Sequence, residues 1–128
     1  MKKYEILSLI LILCSMLAGC NSSKVFEIVD AEKIILMSGR TGEKVEITDA
    51  EIIHQITTGI NSLEFDKGRS SQNVSGWSYN VKWYDTEGTE IESITFNGNG
   101  TINYDNYFWS ATNGSIDTTF FDELLKQD

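Results

Sequence analysis

The amino-acid sequence predicts an α+β domain, an antiparallel β-meander sheet with two helices packed on one face, from three observations. Ile52, Ile53, Ile56, Ile60 and Leu63 fall at helical spacing and give one apolar face. From Glu64 to Thr112 the pattern alternates with period two between short turn-rich intervals, as half-buried strands do. Ile116, Phe120, Phe121, Leu124 and Leu125 then return to helical spacing. Strands, a helix, several strands and a helix in that order place the helices over one face of an antiparallel sheet.

Taken in order, Ala31 to Met37 and Glu43 to Thr48 read as two strands around Gly39-Arg40-Thr41-Gly42, an interval of hairpin length. The first helix follows. Thr48 and Glu51 have capping-box spacing, and Ile47 and Ile52 bracket it as a hydrophobic staple. Trp77, Tyr79, Val81 and Trp83 alternate against Ser78, Asn80, Lys82 and Tyr84, and Asp85-Thr86-Glu87-Gly88 turns this strand into Glu90 to Asn97. Asn97-Gly98-Asn99-Gly100 leads to Thr101 to Tyr104, and Asp105-Asn106 leads to Tyr107 through Ala111. Connections this short join antiparallel neighbours. Asn113-Gly114 closes the meander, and Asp117 is placed to cap the last helix.

Residues 1–19 do not belong to this pattern. Lys2 and Lys3 precede an apolar run from Ile6 to Leu13 that continues to Ala18, the layout of a signal peptide. The run is shorter than the roughly 20 apolar residues of a membrane-spanning helix, and it ends on small residues without a basic stop-transfer cluster. Leu17-Ala18-Gly19-Cys20 resembles the lipobox of bacterial lipoproteins. The resemblance implies that the Cys20 thiol receives a diacylglyceryl group, that a peptidase cuts before it, and that the protein is held on the extracytoplasmic side of the cell membrane. It divides the chain into a cleaved signal (1–19), a lipidated cysteine and short tether (20–24), and one globular domain (25–128). The body is similar to small uncharacterised lipoproteins of Gram-positive-type bacteria in three segments: Ile47-Thr48-Asp49, Gly76-Trp77-Ser78-Tyr79 with Lys82-Trp83-Tyr84-Asp85, and Gly114-Ser115-Ile116-Asp117. That group implies no activity.

Composition sets further bounds. Removal of residues 1–19 leaves 109, enough for one compact domain. Cys14 leaves with the signal and Cys20 carries lipid, so the domain would hold no thiol for a disulfide, a zinc site or a nucleophile. Losing Lys2, Lys3 and Glu5 takes ten basic and nineteen acidic side chains to eight and eighteen, a formal charge of −10. Such an acidic domain is repelled by phosphate backbones and anionic lipid surfaces, which argues against nucleic acid and against lying flat on the membrane.

Few residue groupings carry chemistry. His54, the single histidine, lies three residues after Glu51 on the first helix. A di-iron site would need a second such pair, so His54 reads as a surface residue, and an enzyme would require a site assembled around it in space. Glu90 and Glu92 alternate onto one side of a strand and read as a solvated face. Asn97, Asn99, Asn103 and Asp105 fail the EF-hand template and read as turn residues. Trp77, Tyr79 and Trp83 share one face and read as core, so Tyr84 and one of Tyr107, Phe108 and Trp109 must point elsewhere. The expectation is a non-enzymatic binding or accessory module without cofactor or metal, lipidated at Cys20, with Tyr84, Tyr107 and Trp109 as the candidate surface for an envelope protein or glycan.

Overall fold

A computed structural model describes residues 22–126 of the 128 in the chain, so the signal segment and Cys20 lie outside the described residues. Eight strands form one antiparallel sheet: β1 (Ser23–Val25), β2 (Lys33–Ser38), β3 (Lys44–Ile47), β4 (Glu64–Ser70), β5 (Tyr79–Tyr84), β6 (Glu90–Phe96), β7 (Thr101–Tyr104) and β8 (Tyr107–Ala111). Helix α1 (Ala50–Asn61) joins β3 to β4, and α2 (Thr118–Leu125) ends the described fold. The predicted α+β architecture is what the chain adopts. Strand order is β1-β4-β8-β7-β6-β5-β2-β3. The meander β5 to β8 is therefore central, flanked by the first hairpin on one side and by β4 with β1 on the other.

Local chemistry explains the turns. Asp105 and Asn106 both take positive φ (52° and 69°), and Tyr104 pairs with Tyr107. This is a two-residue hairpin whose left-handed backbone matches strand twist, and Asp and Asn tolerate that conformation. At the β5–β6 turn the Asp85 carboxylate accepts from the Glu87 and Thr89 amides, both at 2.9 Å. Gly88, at φ 80°, supplies the left-handed residue there.

Capping of α1 differs from the capping-box expectation. Asp49, in extended conformation, is the cap, and its Oδ1 accepts from the Glu51 amide at 2.9 Å and the Ile52 amide at 3.3 Å. Thr48 sits one residue too early. A carboxylate at a helix N-terminus also meets the positive end of the helix dipole. Asp49→Ala is expected to lower stability by about 1 kcal/mol and Thr48→Ala by only a few tenths, measured as urea midpoints. Asp117 caps α2 as predicted, accepting from the Thr119 amide at 3.1 Å.

Both helices cover the inner face of the sheet. α1 buries Ile53, Ile56 and Ile60, and α2 buries Phe121, Leu124 and Leu125. Beneath them Ile34, Leu36, Val81, Trp83, Ile94, Phe96 and Ile102 expose none of their surface. The Trp83 indole Nε1 donates to Thr57 Oγ1 on α1 at 3.0 Å, so the largest core side chain also satisfies its polar atom. The chain leaving β1 crosses to β2 over the same face. Phe26 packs edge-on against Phe65 and Tyr104, and the Asn61 side chain holds Ile28 by both its backbone groups at 3.0 and 2.9 Å.

Trp77 departs from the core expectation. β5 begins at Tyr79, after Gly76 at φ 95°, so the alternation does not reach back to Trp77, which is 38% exposed. Its backbone and ring lie instead on Gly39, where an added Cβ would meet the Trp77 carbonyl oxygen at 2.1 Å.

Candidate functional site

The first described strand brings the N-terminal end of the fold to one corner of the sheet. Ser23, Lys24 and Val25 pair with Asp66, Phe65 and Glu64, and the Ser22 carbonyl accepts from the Lys67 amide at 2.8 Å. Ser23 and Lys24, assigned to the tether from the sequence, are thus part of β1. One residue separates Cys20 from Ser22, so the two Cα atoms are within about 7 Å of each other.

Three cations surround this corner, each over an aromatic ring. Lys24 Nζ lies 5.0 Å from the Phe26 ring centre and 4.8 Å from that of Tyr104. Lys67 Nζ lies 3.8 Å from the Tyr107 ring and Arg69 Cζ 5.0 Å from the Phe108 ring. Among the described residues the one ion pair within 4 Å is elsewhere, Lys82 with Glu90 at 3.7 Å. Despite the excess of acid, the corner cations are matched to rings and not to carboxylates.

The three aromatic candidates do not form one patch. Tyr84 pairs with Lys33 and Glu90, opposite in facing to buried Trp83, and so lies on the outer face, with Lys33 Nζ 4.9 Å from its ring. Tyr107 pairs with Tyr104 and Trp109 with Ile102, which sets both on the inner face. Trp109 is half-buried and its Nε1 donates to the Tyr104 carbonyl at 3.0 Å, whereas Tyr107 is 36% exposed. Phe108, paired with Asn103, is the cluster member that shares the outer face with Tyr84. The two-residue Asp105-Asn106 turn contained the signal for this, because it forces Tyr104 opposite Tyr107 and hence Phe108 opposite polar Asn103.

The outer face is polar and partly crossed by chain. Asn80 donates to Thr95 Oγ1 at 3.0 Å and Ser93 Oγ at 3.3 Å, a ladder across β5 and β6. The segment from Ser71 to Ser78 leads from β4 to β5, and Ser71 Oγ donates to Asn103 Oδ1 at 2.7 Å on the way.

Glu90 and Glu92 are separated, contrary to their reading as one face. Trp83 pairs with Glu92 while Tyr84 pairs with Glu90, so a bulge adds Ile91 and turns the two carboxylates to opposite faces. Glu90 meets Lys82 on the outer face, and Glu92 accepts from the Tyr104 hydroxyl at 3.0 Å inside. Tyr79 donates in the same manner to Asp122 of α2. Burial first, and then the carboxylate each one faces, push both phenols up to about 12 from 10.0. Unfolded tyrosines lose their protons near 10, so between pH 10 and about 12 the folded state binds more protons than the unfolded. The contribution is complete below pH 10 and is expected to disappear as pH rises to about 12. Urea midpoints followed across that range should fall, and should fall less in the Tyr79→Phe, Tyr104→Phe double variant.

His54 is exposed on α1, with its Nε2 3.5 Å from Thr58 Oγ1. It lines an open groove of about 430 Å³ with Asp30, Glu32, Thr48, Thr57 and Asn61. Among the described residues no three histidine, cysteine, aspartate or glutamate side chains converge as a metal site would require. Asn97, Asn99 and Asn103 are distributed over a turn and a strand, the Asn97 amide donating to the Gly76 carbonyl at 2.9 Å.

Compared with protein-family models, curated protein sequences and solved structures, the chain has no match in any of the three.

Proposed function

We propose that this chain is a lipoprotein of the cell envelope, anchored on the extracytoplasmic side through diacylglyceryl-modified Cys20, whose domain serves as a non-enzymatic binding or accessory module. The observation that carries the anchor is Leu17-Ala18-Gly19-Cys20 at the end of a basic and apolar leader, followed within two residues by the start of the packed chain. Cleavage before Cys20 would remove no described residue. Mass spectrometry of the protein recovered from cells is expected to show Cys20 as a lipid-modified N-terminus. An unmodified or differently placed N-terminus overturns the reading.

The non-enzymatic reading draws on where reactive side chains sit. Glu90 and Glu92 face away from one another, and His54 is neighboured by a threonine hydroxyl at the limit of hydrogen bonding. The partner class that suits such a surface is an envelope protein or glycan meeting surface aromatics, half-buried Tyr84 on the outer face or exposed Tyr107 on the inner face. Crosslinking in cells, with Tyr84→Ala and Tyr107→Ala measured separately, assigns the face: the substitution that abolishes capture marks it. Retention of capture by both variants removes the aromatic reading. A second reading rests on the groove at His54, where an enzyme would need its base. An unaltered cellular phenotype in His54→Ala discards it.

A further inference from the structure

Trp77 sits where burial does not explain it. We propose that Trp77, with Arg40, Ser38 and Ser78, forms a binding site for a neutral pyranose ring of a glycan, where the β2–β3 turn meets the start of β5. This inference rests on the reading of the domain as a binding module, and its surface is separate from Tyr84 and Tyr107.

Three observations carry it. First, Trp77 is 38% exposed and yet fixed on both sides. The Gly39 amide donates to the Ser78 carbonyl and the Ser78 amide to the Phe96 carbonyl, both at 2.8 Å. Asn97 Nδ2 donates to the Gly76 carbonyl at 2.9 Å. The indole lies so close to Gly39 that a Cβ there would come within 2.6 Å of the ring carbon Cε3. Gly39 does not take a positive φ, so glycine serves at this position to admit the ring and not to permit a turn. An aromatic side chain already held in place loses little conformational freedom when a ligand stacks on it.

Second, the polar groups lining the adjoining cavity have unpartnered hydrogen-bonding capacity. Ser38 Oγ accepts from the Arg40 and Thr41 amides, both at 3.3 Å, and Ser78 Oγ accepts from the Gly98 amide at 3.1 Å. Among the described residues neither hydroxyl hydrogen has an acceptor. Ser38 is only 6% exposed, so the cavity it lines is where an acceptor can reach it. The Arg40 guanidinium lines the same cavity and has no carboxylate within 4 Å among the described residues. Beside Tyr79, Asp122 takes the phenol hydrogen on one oxygen and keeps the other for a further donor. Asp117, next to Thr118 of the cavity wall, is already engaged as the cap of α2.

Third, charge and size select the ligand class. The cavity measures about 240 Å³, below the roughly 300–1,000 Å³ of sites that enclose drug-sized ligands, so it takes one ring and leaves the rest of a chain outside. An anion would meet Asp122 and a protein of net charge −9, and a cation would meet Arg40. An apolar ligand would cover the serine hydroxyls and the guanidinium without giving them acceptors. A neutral pyranose answers each demand. Its C–H face suits the indole, and its hydroxyls both accept and donate.

The test uses the full chain, labelled with nitrogen-15 and held in micelles of a detergent without a sugar headgroup. It is titrated with neutral trisaccharides of glucose, mannose, galactose and N-acetylglucosamine while the indole N–H signals of the three tryptophans are followed by NMR. At least one trisaccharide is expected to shift the Trp77 signal and leave that of buried Trp83 in place. Trp77→Ala is expected to weaken that binding about tenfold or more and Arg40→Gln about threefold or more, while Trp77→Phe, which keeps an aromatic face, stays within about threefold. Should the urea midpoint show that Trp77→Ala unfolds, Arg40→Gln, on an exposed side chain, carries the test. No shift with any of the four sugars overturns the proposal, as does binding that neither Trp77→Ala nor Arg40→Gln weakens. Tighter binding of trigalacturonate than of every neutral sugar would show an anion site, and a proline-rich peptide that shifts Trp77 while the sugars do not would show a protein partner; both overturn it. Failure of the binding-module reading is seen separately, as absence of any captured partner in cells.

Discussion

Exported behind an ordinary cleavable signal peptide, with Cys20 replaced by alanine, the domain is expected to leave the membrane fraction and be recovered soluble outside the cytoplasm. Among the described residues no helix is long and apolar enough to cross a bilayer. Membrane retention is then assigned to the lipid on Cys20. Two acyl chains at about 0.8 kcal/mol per buried methylene hold a protein stably, while a single chain binds marginally and reversibly. Fractionation followed by immunodetection checks the outcome. If the alanine form stays with the membrane as completely as the lipidated one, either the anchor assignment is wrong or the domain binds a membrane partner tightly by itself.

Trp83→Ala is expected to cost about 3 to 5 kcal/mol, the largest single loss the fold offers. Trp83 has no exposed surface and lies at the centre of the sheet between Ile34 on β2 and Glu92 on β6. Truncation leaves a cavity under α1 that neighbouring Ile and Val side chains, held in a packed sheet, cannot collapse to fill. It also leaves Thr57 Oγ1 without the indole donor. Against a typical stability of about 5 to 15 kcal/mol such a loss leaves a marginal domain. Thr57→Val separates the two effects, keeping the packing and removing the acceptor, for an expected cost of about 1 to 3 kcal/mol. Urea unfolding followed by circular dichroism gives both values. A loss below about 1 kcal/mol for Trp83→Ala would mean that the sheet repacks around the gap, contrary to the burial described.

Trp83 and Trp77 also divide what was legible from what was not. Trp83 stood out in the sequence because period two is a local property: Tyr79, Val81 and Trp83 alternate with polar neighbours, and their strand is buried on that face. Trp77 has the same spacing and fails, because alternation predicts facing only inside a paired strand and the pairing stops at Tyr79. Glu90 and Glu92 fail for a related reason, since one bulge residue reverses facing beyond it. The grouping of three cations over rings was hidden for a different cause. Lys24, Lys67 and Arg69 are more than forty positions apart in the chain at the widest, and only the pairing of β1 with β4 makes them neighbours.

By itself the sequence determined the helices and their buried faces, the alternation of the central strands, the turns and the acidic balance. All of these are written within a few consecutive residues, where spacing and side-chain chemistry act directly. Tertiary structure alone decided the strand order, the placing of Tyr84 and Phe108 on one face with Tyr107 and Trp109 on the other, and the joining of the N-terminal strand to β4 beside Lys67. Those depend on pairings between distant segments, whose register is chosen by the packing of the whole sheet beneath its two helices and is recorded in no single stretch of chain.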